Sequence, residues 1–184
     1  MQDQLLKEAN DYLELLREGQ TSDGEEIDRG TILDHYLMTI YELGLKLGSD
    51  QSERAKAALS EFVERSSPVL QEFRYRIDEF LQRTGTVSTA FQGSEWIHLL
   101  ERRSAIQFLI DFSQGTTFEP WAASLNTPAL DDALMEIGDR EGYLSADKIP
   151  DGTPASHWWW WYPNSPPDEP TETSGATRPG SSSA

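Results

Sequence analysis

Glu95 and His98 form a Glu-x-x-His. On a helix that spacing puts a carboxylate and an imidazole on one face, as dinuclear carboxylate sites in helical bundles require. Such sites need the motif twice, plus a Glu from each of two further helices, and the chain holds one copy. With 32 acidic residues, one copy is what chance supplies, and a Glu in a first helical turn also suits the helix dipole. The other histidines, His35 and His157, stand alone. Asp23, Glu25, Glu26 and Asp28 cluster in a Gly-bounded stretch and would attract a cation. They lack the alternate ligand positions and final bidentate Glu of a calcium loop, so the stretch reads as a solvated acidic loop.

Asp139 to Ser145 resembles the middle of an EF-hand loop. Aligning Gly142 with the invariant glycine puts Ile137 at the first ligand position and Lys148 at the twelfth. An aliphatic and a cation then stand where the strongest ligands are needed, which leaves an ordinary Gly turn. No phosphate loop, dinucleotide fingerprint, His-Glu-x-x-His or nucleophile elbow is found. The sequence thus implies no metal and no cofactor. A catalytic carboxylate pair assembled in space leaves no trace in sequence.

The segment Ser156-His157-Trp158-Trp159-Trp160-Trp161-Tyr162-Pro163 holds four of the six tryptophans. A strand would send two tryptophans to each face, and a helix would sweep them around most of its circumference. Burying all four and Tyr162 would remove roughly 900 Å² of mostly apolar surface, on the order of 20 kcal/mol gross as an upper bound. Leaving half exposed would create a patch of roughly 400 Å², a size often functional. The block is therefore either a plug for the core or an aromatic platform. His157, Trp158, Trp159, Trp160, Trp161 and Tyr162 are the candidate binding residues.

Helical periodicity supplies the elements that would position them. Residues 3–18 carry Leu5, Leu6, Ala9, Tyr12, Leu13 and Leu16 on one face. A second helix, capped by Thr31 with Asp34, carries Leu33, Tyr36, Leu37, Ile40, Leu43 and Leu47. A third, capped by Ser49 or Asp50, turns Ala55, Ala58, Leu59, Phe62 and Val63 inward. Pro68 either opens a new helix after Ser67 or kinks one long helix. The stretch beyond it buries Leu70, Phe73, Ile77, Phe80 and Leu81. Surface pairs are expected for Glu61 with Arg65, Glu72 with Arg76, Arg74 with Asp78, and Glu79 with Arg83. A helix over about 95–113, capped by Ser94, carries Trp96, Leu99, Leu100, Arg103, Ile106, Leu109 and Ile110 in one stripe. Thr127-Pro128 opens a short helix with Leu130, Ala133, Leu134 and Ile137 apolar. Pro150, Asp151-Gly152 and Pro154 then form turns.

The expected fold is all-α: an irregular bundle of about five or six helices, closed by an extended Trp-rich C-terminal segment. The domain spans 1–163. Residues 164–184, rich in Pro, Ser, Thr and Gly, read as a disordered tail that cannot offset its ordering entropy.

The net charge of −17 disfavours nucleic acid and anionic membrane surfaces and favours a basic protein partner. Arg outnumbers Lys eleven to four, so a salt-adapted proteome accounts for the acidity equally well. No cysteine, signal segment or apolar run of membrane-spanning length appears, which points to the cytoplasm. The leading reading is a non-enzymatic, acidic protein-interaction module: an adaptor, inhibitor or immunity-type factor. The alternative is a helical enzyme or a small-ligand or metal binder with a pocket near Glu95, His98 and His157.

Overall fold

The computed structural model of the protein describes residues 2–19, 26–49, 53–87, 96–142 and 144–164. They contain seven α-helices and no strand: α1 (Gln2–Glu18), α2 (Arg29–Ser49), α3 (Glu53–Glu72), α4 (Arg74–Val87), α5 (Ile97–Ser113), α6 (Glu119–Ala122) and α7 (Pro128–Glu141). Short 3-10 turns follow at Ala146–Lys148 and Trp158–Trp160. Asp23, Glu25, Asp50, Ser94, Glu95, Tyr143 and the tail beyond Asn164 lie outside the described residues.

The fold is the expected all-α bundle. The apolar stripes become one continuous core: Leu5, Ala9, Leu13 and Leu16 from α1 meet Leu33, Tyr36, Leu37, Ile40 and Leu43 from α2, and Trp159 and Trp160 belong to the same cluster. α2 and α5 pack together at the centre, α1 lies against α2 and α3, and α4 lies against α7. The central pair comes close because α2 offers a glycine. A Cβ at Gly44 would lie 2.3 Å from the Phe108 ring, so that ring occupies the space a side chain would take. Phe108 then reaches Tyr41, at 6.4 Å between centroids, and His157, at 4.6 Å.

Local details depart from the pattern for physical reasons. α2 starts at Arg29, ahead of Thr31, so Asp28 is its cap. The Asp28 carboxylate accepts the Gly30 N–H at 3.0 Å and the Thr31 hydroxyl at 2.7 Å. Those bonds, the Thr31 hydroxyl first, hold its pKa below the usual carboxylate value. Asp34 instead joins α2 to α5 through Arg102, at 3.2 Å.

Pro68 does not start a helix: α3 runs through it, and the interruption falls at Phe73. Val69 and Leu70, buried just after Pro68, hold the helical course there. Ala58 is exposed, since α3 points Leu59, Phe62 and Val63 inward and leaves it on the rim.

Arg74 pairs with Asp78 at 2.9 Å as expected, and its guanidinium also donates to the Ser124 carbonyl at 2.8 Å and lies over Trp121. Arg76 turns to Glu79, three residues on, rather than back to Glu72 across the Phe73 interruption. Arg65 makes no ion pair with Glu61 among the described residues. The Arg83 side chain lies outside the described residues.

The Gly44 contact makes a direct prediction. Gly44→Ala forces a methyl into the Phe108 ring and is expected to destabilise the fold by about 1–3 kcal/mol, the range for overpacking. A urea titration would register this as a lower midpoint, and an unchanged midpoint would contradict the close approach.

Candidate functional site

α5 buries an unusually broad face, which includes Arg103 and Ser104 as well as Leu99, Leu100, Ile106 and Leu109. Across from it the chain arrives through tight turns. At Gly152 φ is +84°, and an added Cβ would lie 2.2 Å from the Leu45 carbonyl oxygen, so only glycine fits. Thr153 closes the turn by donating its N–H and its hydroxyl to the Pro150 carbonyl, at 3.2 and 2.7 Å. The Trp block follows.

That block is wound into a 3-10 turn where an extended segment was expected. Trp160 N–H donates to the His157 carbonyl at 3.1 Å, and Trp161 N–H to the Trp158 carbonyl at 3.0 Å. With three residues per turn, side chains at i and i+3 eclipse. Trp158 and Trp161 therefore share one side and are half-buried, while Trp159 and Trp160 point into the core and are buried. Winding allows two adjacent tryptophans to enter one core, which the alternation of a strand would forbid.

Ser104 explains why they can be buried. Its hydroxyl lies 3.0 Å from the Trp159 indole nitrogen, 2.9 Å from that of Trp160 and 3.1 Å from Nδ1 of His157. A serine hydroxyl has two lone pairs and one proton. The indole N–H groups are donors only, so they take both lone pairs, and the hydroxyl proton goes to Nδ1. His157 is thereby fixed as the neutral tautomer with its proton on Nε2, a buried atom without a hydrogen-bond partner. Burial, reinforced by the positive charge of Arg103, pushes the His157 pKa down to about 3.

Arg103 completes the arrangement. Only 5% exposed, it binds Asp131 of α7 through Nε and through Nη2, the latter at 3.2 Å. It donates to Gln107 at 3.1 Å, and Gln107 donates to Asp111 at 2.8 Å. Its guanidinium carbon sits 4.2 Å from the Trp159 ring centroid, and His157 stacks on the same indole at 4.8 Å. The cation is thus held between a carboxylate and an aromatic face. Partial burial raises the Asp111 pKa, with the Gln107 bond opposing it.

Serine beside histidine suggests an activated nucleophile by residue type, yet the geometry gives it another role. Ser104 and His157 are both 0% exposed. The serine lone pairs are occupied, and the imidazole resists the proton it would have to accept. A nucleophile needs a base oriented by a third, usually acidic, group; here the nearby charge is the Arg103 cation. Ser104, His157 and Arg103 hold the turn in place.

The outward side is aromatic with an acidic border. Trp158 meets Trp159 and Tyr162 edge-on, at 5.8 and 5.7 Å. The Tyr162 ring covers Gly138 of α7, where a Cβ would come within 2.5 Å, and its hydroxyl donates to Asp139 at 2.8 Å. The six candidate residues thus divide: His157, Trp159 and Trp160 face the core, whereas Trp158, Trp161 and Tyr162 reach the surface.

The remaining sequence candidates do not join them. His98 has a 75% exposed side chain and bonds to Glu101 at 2.8 Å. It lies six residues before Ser104, about 9 Å along the axis of α5, so the structure does not bring it to His157. His35 is exposed and stacked on Tyr12 at 5.6 Å. Asp139, Arg140 and Glu141 are the last turn of α7, closed by Gly142 with φ of +82°. A cleft of about 200 Å³ between α1 and α3 is lined by Arg17, Arg65 and Ser66 among others, and by no residue of the Trp block.

Sequence reasoning placed Arg103 on the buried stripe without a role and passed over Ser104. The available signal was two adjacent polar residues in the buried phase of a helix, in a chain that later presents four consecutive indole donors. In comparisons with known proteins, no family model, no curated protein and no solved structure matches the chain significantly.

Two predictions test the Ser104 node. Ser104→Ala leaves two indole N–H groups and Nδ1 unpaired, each costing about 1–3 kcal/mol when buried. An overall loss of about 2–5 kcal/mol in chemical denaturation is expected, and a loss within 0.5 kcal/mol would contradict the node.

The second prediction concerns pH. His157 is neutral in both folded and unfolded chains above its unfolded pKa of about 6.5. Between that value and about 3, the unfolded chain binds a proton that the folded one refuses. Wild-type stability, measured against His157→Gln, should then fall by about 1.4 kcal/mol per pH unit on acidification below pH 6. Parallel stability curves for the two proteins would refute the assignment.

Proposed function

We propose that the protein is a non-enzymatic, acidic interaction module, an adaptor, inhibitor or immunity-type factor of the cytoplasm, that binds a protein partner through the outward half of its Trp block. The observation that carries this reading is the division of that block. Ser104, His157, Trp159 and Trp160 are buried in the core and joined through the Ser104 hydroxyl. Trp158, Trp161 and Tyr162 are held partly exposed by a rigid backbone turn. Partly exposed tryptophan and tyrosine on a preorganised element are the side chains most enriched at binding hot spots.

The test is capture from native lysate by the full chain, with wild type compared with the double variant Trp158→Ala plus Trp161→Ala. The expected result is a protein retained by wild type and lost from the double variant, while far-UV circular dichroism is unchanged. Equal retention by both would reject the Trp block as the binding face, and no retention by wild type would reject the module.

A further inference from the structure

We infer that Trp158, Trp161 and Tyr162, together with the acidic row of α7, form one docking surface for a Lys- or Arg-bearing segment of the partner. This rests on the interaction-module reading and names the chemistry of its partner.

Asp132, Glu136 and Asp139 fall at i, i+4 and i+7 on α7, and all three are exposed. That spacing makes a single row of carboxylates along one side of the helix. Tyr162 ties the row to the Trp turn, because its hydroxyl bonds to Asp139 and its ring lies on Gly138. Aromatic rings and carboxylates therefore adjoin on one surface.

The protein shows internally what that combination recognises. Arg103 lies over the Trp159 ring and is held by Asp131, a residue of the same helix α7. Two turns further along α7, at Asp139, and one residue back in the Trp turn, at Trp158, the same residue types face outward. Aromatic faces attract guanidinium and ammonium groups, and a neighbouring carboxylate adds a charge-assisted hydrogen bond. Residues 128–162 carry seven acids against two bases, and the nearest base, Arg140, is engaged by Glu141 at 3.0 Å. The net charge of −17 steers cations towards the molecule.

A test must separate this surface from general acidity, which would attract any cationic peptide. The probe is a short labelled Arg/Gly repeat peptide, read by fluorescence anisotropy with the full chain at low and physiological salt. The pair Asp132→Lys plus Glu136→Lys should weaken binding by about tenfold or more. The pair Glu61→Lys plus Glu72→Lys, an equal charge change at exposed positions of α3, should change it by less than about twofold. Trp158→Ala, checked for folding by circular dichroism, should weaken binding by about tenfold. Equal losses from the two charge pairs, or no effect of Trp158→Ala, would overturn the inference. A lysate partner that depends on Trp158 and Trp161, without saturable binding of the Arg peptide, would overturn it too while leaving the module reading intact.

Discussion

A single hydroxyl group decides how the C-terminal segment meets the bundle. Ser104 accepts from two indoles and donates to one imidazole, which uses all of its hydrogen-bonding capacity. Burying two tryptophans brings a hydrophobic gain on the order of 10 kcal/mol gross. Much of that gain would be lost if two indole N–H groups entered the core unpaired. Both must reach the same oxygen, so residues 159 and 160 must point the same general way, and the 3-10 winding achieves this. The outward alignment of Trp158 and Trp161 is the geometric remainder of that requirement.

Arg103 extends the same logic from hydrogen bonding to charge. A buried guanidinium is tolerated only when paired and desolvated against compatible surfaces. Asp131 supplies the charge, Gln107 an acceptor and Trp159 a ring face. The resulting network joins α5, α7 and the Trp turn, so the buried part of the block and the acidic helix beside its exposed part are positioned together. Residues that resemble reactive groups by type are thereby committed to architecture.

The helical framework was legible because apolar residues at helical spacing have one stable solution, burial against one another. Leu5, Ala9, Leu13 and Leu16 in α1, and Leu33 to Leu43 in α2, lie in the core as that rule requires. Periodicity does not report which polar residues meet inside. Ser104 and Arg103 occupy buried phase, yet their partners stand 28 to 56 residues away along the chain. Pro68 left two readings open, a new helix or one long helix, and a single helix runs through it because a missing N–H weakens a helix only locally while the buried residues beside it hold the course. Thr31 gave way to Asp28 as the α2 cap because the helix began three residues early. The winding of the Trp block was hidden for a related reason: four identical residues carry no alternation from which a period can be read.

The division of the Trp block is the central claim, and hydrogen exchange of the indole N–H groups measures it residue by residue. The six indole signals can be assigned in nitrogen-15 spectra from single Trp→Phe variants. Trp159 and Trp160 should exchange slowly, since both donate to Ser104 in the core. Trp158 and Trp161, whose indole N–H groups donate no hydrogen bond among the described residues, should exchange rapidly. Uniform exchange across residues 158 to 161, whether fast or slow, would contradict the account.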